Sequence, residues 1–140
     1  LAKPRSPYVQ TVSPKLIYKN IRKIAFVTEK PNILVVCGRN KRRSRTAEYI
    51  FKNDMRFNIR SVGLSPKSER QIKEKDVLWA DIIYVMEQGQ GARIAGTNRQ
   101  LELPPLEVLH IEDEYEYLEP ELIEMLKDRI NSSLKVVYKI

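Results

Sequence analysis

Scarcity marks this sequence before any motif does. Its 140 residues include one cysteine, one histidine and one tryptophan. A lone cysteine cannot close an internal disulfide, which fits a reducing compartment, the cytoplasm, and turns attention to thiol chemistry. The only histidine, His110, reads as a structural or surface residue. Long apolar runs are also missing: Ile33 to Cys37 and Ile82 to Met86 reach only strand length, far short of the roughly 18 residues a membrane-spanning helix needs. There is no glycine- or serine-rich tract and no internal repeat. What remains, 42% hydrophobic and 31% charged residues, is the composition of one soluble globular domain, long enough to bury a core without disulfides or metals.

Acidic residues are scarce in one half and plentiful in the other. Residues 1 to 76 hold 19 Lys/Arg against 6 Asp/Glu, and residues 77 to 140 hold 6 against 12. A strongly basic half points to an anionic partner, set against an acidic surface from the second half. The first thirty residues carry Pro4, Pro7 and Pro14 and no acid before Glu29, and read as a basic arm separate from a domain over 31–140. Lys15 to Val27 has the pattern of a short helix and a strand. An organelle transit peptide would share this charge, but the arm lacks the Arg-rich amphipathic pattern, and its start at Leu1 suggests a trimmed end.

From Pro31 onward the pattern is regular. An apolar run Ile33 to Cys37, a helical stretch from Ser44 to Asn53, and Phe57 to Val62 stopped by Gly63 read as strand, helix, strand. A polar helix over Glu69 to Trp79 leads into a buried strand Asp81 to Met86. A segment interrupted by Gly89, Gly91 and Gly96 follows, then a strand Leu106 to Ile111. Leu122, Ile123, Leu126, Ile130 and Leu134 have the spacing of a surface helix over 120–137, with Pro120 in its first turn. Alternating elements with wholly apolar strands predict an α/β fold, an open doubly wound parallel sheet with helices on both faces. Ligands of such sheets lie beyond the carboxyl ends of the strands, at the switch point beside the first one. Cys37 stands there.

The residues from Cys37 to Ser44 read CGRNKRRS. A loop of this length running into a helix points successive backbone N–H groups inward and adds the positive end of the helix dipole, which makes an oxyanion site from Gly38, Arg39, Asn40, Lys41 and Arg42. The fork of Arg43 suits two oxygens of one phosphate. The same field favours a thiolate at Cys37, and a thiolate beneath a phosphate is placed to form a phosphocysteine that water removes. Ser44 is placed to donate a hydrogen bond to the departing sulfur. Asn40 tolerates left-handed backbone and suits the bend.

At these residues the chain resembles the low-molecular-weight protein tyrosine phosphatases, whose loop has Cys, five residues, Arg, Ser, with Asn at the fourth position. The resemblance extends through TAEYIF, SVGL, WADIIYVME and IEDEYEYLEPEL, spans about residues 31 to 130, and is nearest to the short prokaryotic branch. It implies a flavodoxin-like sheet of four strands in the order 2-1-3-4, no metal or organic cofactor, and an aspartic acid from a late loop as general acid. The matching residue is Asp113. Relatives follow this Asp with Pro, whereas Glu114 stands here, so Glu112, Glu116 and Glu119 remain alternatives. Tyr115 and Tyr117 match the aromatic walls that face the substrate ring. Arg39 replaces a frequent Gly and Arg42 a second cysteine, so five basic residues lie within Arg39 to Arg45.

The expected activity is hydrolysis of phosphomonoesters, with phosphotyrosine in proteins the substrate the resemblance implies and small phosphomonoesters the wider class. Two other readings stay open. Arsenate reduction would need an external thiol, since the chain has no second cysteine. A phosphoanion or nucleic-acid binding protein with a weakly active pocket would use the basic half.

Overall fold

The computed structural model describes residues 30–140, so the expectations for the basic arm and for Lys15 to Val27 lie outside the described residues. Four strands, β1 (Asn32–Cys37), β2 (Asn58–Gly63), β3 (Ile82–Val85) and β4 (Leu106–Val108), alternate with four helices, α1 (Arg43–Phe51), α2 (Glu74–Trp79), α3 (Gln88–Thr97) and α4 (Pro120–Tyr138). Every strand pairing is parallel and the order is β2-β1-β3-β4, the expected doubly wound arrangement.

β1 forms the spine because both of its faces are apolar. Ile33, Val35 and Cys37 join Ala47 and Phe51 of α1 and Leu122, Leu126, Ile130 and Leu134 of α4 on one face. Leu34 and Val36 join Val77, Ala80 and Ile94 on the other. Each fully buried aliphatic side chain contributes about 1.5–3 kcal/mol, so the strand that ends in Cys37 is anchored from above and below. The α4 stripe is its complement: leucines and isoleucine four residues apart, all fully buried, behind Pro120 at the first turn. Tyr84 is polar within this core, and its hydroxyl pairs with Ser133 Oγ at 2.7 Å, which reaches Glu107 Oε1 at 2.7 Å. Burial pushes the Tyr84 phenol well above its ordinary pKa.

Two elements differ from the sequence reading, and a third segment was assigned no element there. The second helix begins at Glu74 rather than Glu69, because residues 64–73 follow the carboxyl end of β2 instead: Gly63 donates to Arg70 O and accepts from Ile72 N, both at 2.8 Å. The glycine-interrupted segment is helical. Its start is capped by Gln90 Oε1, which accepts from Met86 N and Glu87 N at 2.8 and 3.1 Å. Gly91 lets α3 lie against β4, since a Cβ there would stand 2.9 Å from Leu106 Cδ2. Capping and close packing outweigh the roughly 1 kcal/mol that each helical glycine costs. β4 stops at Val108, where His110 turns the chain with φ 59°, although Ile111 N still bonds Met86 O at 3.0 Å.

With β2 on one side of β1 and β3 on the other, the chain reverses its direction of travel at β1. The crevice above the ends of β1 and β3 is therefore the place where loops diverge and a ligand can enter.

Candidate active site

Cys37 ends β1, and Arg43 opens α1. Between them the loop folds so that none of its backbone N–H groups donates to another described residue. Unpaired amides at the entrance to a helix are an anion site, because the donors converge and the dipole adds to them. The bend is made by Asn40, whose φ is 53°. Its Nδ2 donates to Ser44 Oγ at 2.9 Å and to Ser61 Oγ at 3.0 Å. An amide nitrogen only donates, so both hydroxyls accept from it and keep their own protons for other partners. Ser44 Oγ lies 3.0 Å from Cys37 Sγ, placed to donate its proton when the sulfur is a thiolate. Ser61 directs its proton at Glu48, whose carboxylate also holds Arg70 at 2.6 Å.

β2 supports the loop from behind. Gly63 lies so close that an added Cβ would stand 2.6 Å from Asn40 N and 2.7 Å from the carbonyl carbon of Arg39. Just beyond it, Leu64 N bonds Cys37 O at 3.0 Å and Ser65 N bonds Gly38 O at 2.7 Å. Reading Gly63 from sequence as a strand terminator missed this role. A glycine at the carboxyl end of the strand beside a phosphate loop was the available signal.

Arg43 is buried, with 4% of its surface exposed. Its Nη1 donates to Ile111 O at 2.7 Å and to Glu87 Oε2 at 3.1 Å, while Nε faces Asp113 Oδ1 at 3.7 Å. A guanidinium gripped this way has one orientation, which a bidentate phosphate contact requires. Glu87 was not among the residues expected from sequence, although it is the first acid beyond β3 at the switch point. The cavity above the loop has a volume of about 110 Å³ and is lined by Cys37, Gly38, Arg39, Lys41, Arg42, Arg43 and Asp113.

Asp113 is thus the acid of the late loop that lies in the cavity. Of the alternatives, Glu116 is 4.0 Å from Arg42, Glu119 accepts the Glu116 amide at 2.9 Å, and Glu112 is exposed. The loop is pinned on both sides. Arg129 donates to Leu109 O and His110 O at 2.9 and 2.8 Å, and Thr46 Oγ1 accepts from Leu118 N at 3.0 Å. The two tyrosines do not line the cavity. Tyr115 packs against the α1/α4 core with its hydroxyl toward Met125 Sδ, and lost hydration together with Glu121, Glu114 and Glu112 raises its phenol pKa. Tyr117 meets Tyr49 edge-on, with centroids 6.5 Å apart and Arg45 over its ring at 6.0 Å.

A parallel sheet in the order 2-1-3-4 with the Cys37 loop at its switch point is a fold shared with several solved phosphatases. Among solved structures the chain is similar to a low molecular weight protein tyrosine phosphatase from Streptococcus pyogenes, with TM-score 0.61 and 15% identity over 76% of this chain and 93% of that one. The YwlE arginine phosphatase from Geobacillus stearothermophilus matches with TM-score 0.58 and 18% identity over 76% and 94%. The Drosophila arginine phosphatase DARP matches with TM-score 0.53 and 18% identity over 74% and 92%. No family model matches the chain, and no curated protein does. Likeness at these identities establishes the fold. Among the described residues no helix is long and apolar enough to cross a membrane, and no cluster of His, Cys, Asp and Glu has the makings of a metal site.

Proposed function

We propose that the protein is a cysteine-dependent phosphomonoester hydrolase of the cytoplasm, acting on phosphotyrosine in proteins through a phosphocysteine on Cys37. The observation that carries this reading is the joint placement of Cys37 Sγ, the loop amides, Arg43 and Asp113 around one cavity. The loop amides of Gly38 to Arg42 and the Arg43 guanidinium take the three non-bridging oxygens and stabilise the charge that builds on them in transfer. Cys37 Sγ forms the S–P bond as the P–O bond to the leaving group breaks, and Asp113 gives that oxygen its proton. Water then attacks phosphorus, Asp113 takes a proton from it, and the sulfur departs toward the Ser44 hydroxyl.

Two of the similar structures are named arginine phosphatases. Their substrate class is the second reading, and charge argues against it here. Four cationic residues and one carboxylate line the cavity, a poor setting for a leaving group that itself carries a guanidinium. The deciding experiment compares turnover of nitrophenyl phosphate, a phosphotyrosine peptide and the matching phosphoarginine peptide, with Cys37→Ser as control. Hydrolysis of the two esters should exceed that of the phosphoramidate and vanish in Cys37→Ser, while the variant still binds orthophosphate. Substantial turnover by Cys37→Ser removes the thiolate from the mechanism.

A further inference from the structure

We propose that the mouth of the cavity holds a second anion-binding position, formed by the side chains of Arg39 and Lys41, so that the preferred substrate is a phosphomonoester bearing another phosphate or carboxylate beside the one removed. This rests on the phosphatase reading of the same site.

The argument begins with where the positive charge of the loop goes. Arg43 is matched by Glu87 and Asp113, Arg42 faces Glu116 at 4.0 Å, and Arg45 pairs with Glu69. Arg39 and Lys41 also line the cavity and are exposed, yet among the described residues neither has an ion-pair or hydrogen-bond partner. They flank the left-handed turn at Asn40, which puts them on either side of the bend at the rim. A phosphate seated on the loop amides and Arg43 leaves these two charges uncompensated. A second anion attached to the same substrate neutralises them without displacing the first.

Two further features limit what that anion belongs to. No aromatic side chain is part of the described lining, so the mouth recognises the second group by charge and not by stacking. Asp113 brings a carboxylate into the lining, and Glu112, Glu114 and Glu116 are exposed beside it on the same loop. A nucleic-acid backbone crossing the mouth would meet those carboxylates, whereas a compact dianionic group or one acidic side chain touches the basic rim alone.

Calorimetric binding of pyrophosphate and orthophosphate tests the position independently of turnover. Pyrophosphate should bind about tenfold more tightly at about 20 mM salt, and the ratio should shrink toward one near 1 M, where the screening length is about 3 Å. In the double variant Arg39→Gln/Lys41→Gln the low-salt ratio should fall about three- to tenfold, as expected for two exposed ion pairs. The kinetic arm pairs a phosphotyrosine peptide flanked by Asp with one flanked by Asn, and an aryl bisphosphate with its monophosphate. Selectivity within the first pair assigns the second anion to a peptide carboxylate, and within the second pair to a small bisphosphate. Equal affinities for pyrophosphate and orthophosphate, or a ratio unchanged in the double variant, overturn the proposal. Failure of nitrophenyl phosphate to turn over while the pyrophosphate preference persists refutes the phosphatase reading and leaves the second anion position in place.

Discussion

Gly63→Ala is the sharpest test of how the loop is held, because it adds one methyl group to β2 and replaces no residue that contacts substrate. The new Cβ would meet Ser68 Oγ at 2.1 Å, Asn40 N at 2.6 Å and the Arg39 carbonyl carbon at 2.7 Å. Ser68 can rotate away; the loop backbone cannot. Ordinary contact begins near 3.4 Å, so Asn40 N must retreat by about 0.8 Å. That movement pulls on the two hydrogen bonds from Asn40 Nδ2, at 2.9 and 3.0 Å, that fix the bend. Overpacking of this kind costs about 1–3 kcal/mol, and for a domain near 100 residues each kcal/mol lowers Tm by about 4–8 °C. Misplacing catalytic groups by about 1 Å costs about 10²-fold in rate. The variant should therefore lose about 10- to 100-fold in kcat/KM on nitrophenyl phosphate, bind orthophosphate more weakly, and melt several degrees lower. Gly96→Ala is the control, since an added Cβ in α3 meets nothing within 4 Å and should raise Tm slightly through helix propensity. Wild-type kinetics and an unchanged Tm for Gly63→Ala would refute the idea that β2 braces the loop.

Asp113→Asn should slow hydrolysis of phosphotyrosine by about 10²–10⁴-fold and of nitrophenyl phosphate much less, because an activated leaving oxygen departs without a proton. If the steepest leaving-group dependence instead follows Glu116→Gln or Glu119→Gln, Asp113 is not the acid. Glu87→Gln removes one charged partner from Arg43 Nη1 and should raise KM and weaken orthophosphate binding by about tenfold; unchanged KM would show that Ile111 O and Asp113 suffice to orient the guanidinium. Asp54 tests the remote end of the fold. Its carboxylate takes both Arg56 Nε and Nη2 at 2.9 and 2.8 Å, and Arg56 reaches Asn131 of α4 at 2.8 Å. Hydrogen bonding to Arg56 lowers the Asp54 pKa below its ordinary value, so the pair stabilises the fold above the unfolded pKa near 4 and the gain is lost as pH falls through the lower folded value. Urea unfolding should show Asp54→Asn destabilised by about 1 kcal/mol at pH 7 and level with wild type near pH 2; a constant difference at both would mean a lost packing contact, not a lost charge.

The elements legible in the sequence are those whose signal is carried by the chain's own pattern. β1 was readable because five consecutive residues, Ile33 to Cys37, are apolar, and α4 because its apolar residues recur every four positions behind a proline. Cys37, Asn40, Arg43 and Ser44 were legible for a related reason: a strand end, a short loop and a helix start are contiguous, so local geometry forces their backbone groups together. The helical nature of 88–97 was hidden because three glycines argue against a helix locally, and only the close approach to Leu106 and the Gln90 cap outweigh that cost. Gly63, Glu87 and Ser61 could not be placed in the site from spacing alone. They come from β2 and the end of β3, tens of residues from the loop, and meet it only because parallel strands on either side of β1 finish at the same edge of the sheet. Tyr115 and Tyr117 show the converse. They follow close behind Asp113 in the sequence, yet Tyr115 packs against the core and Tyr117 meets Tyr49, because the direction in which a loop side chain points is decided by what the rest of the fold packs beside it.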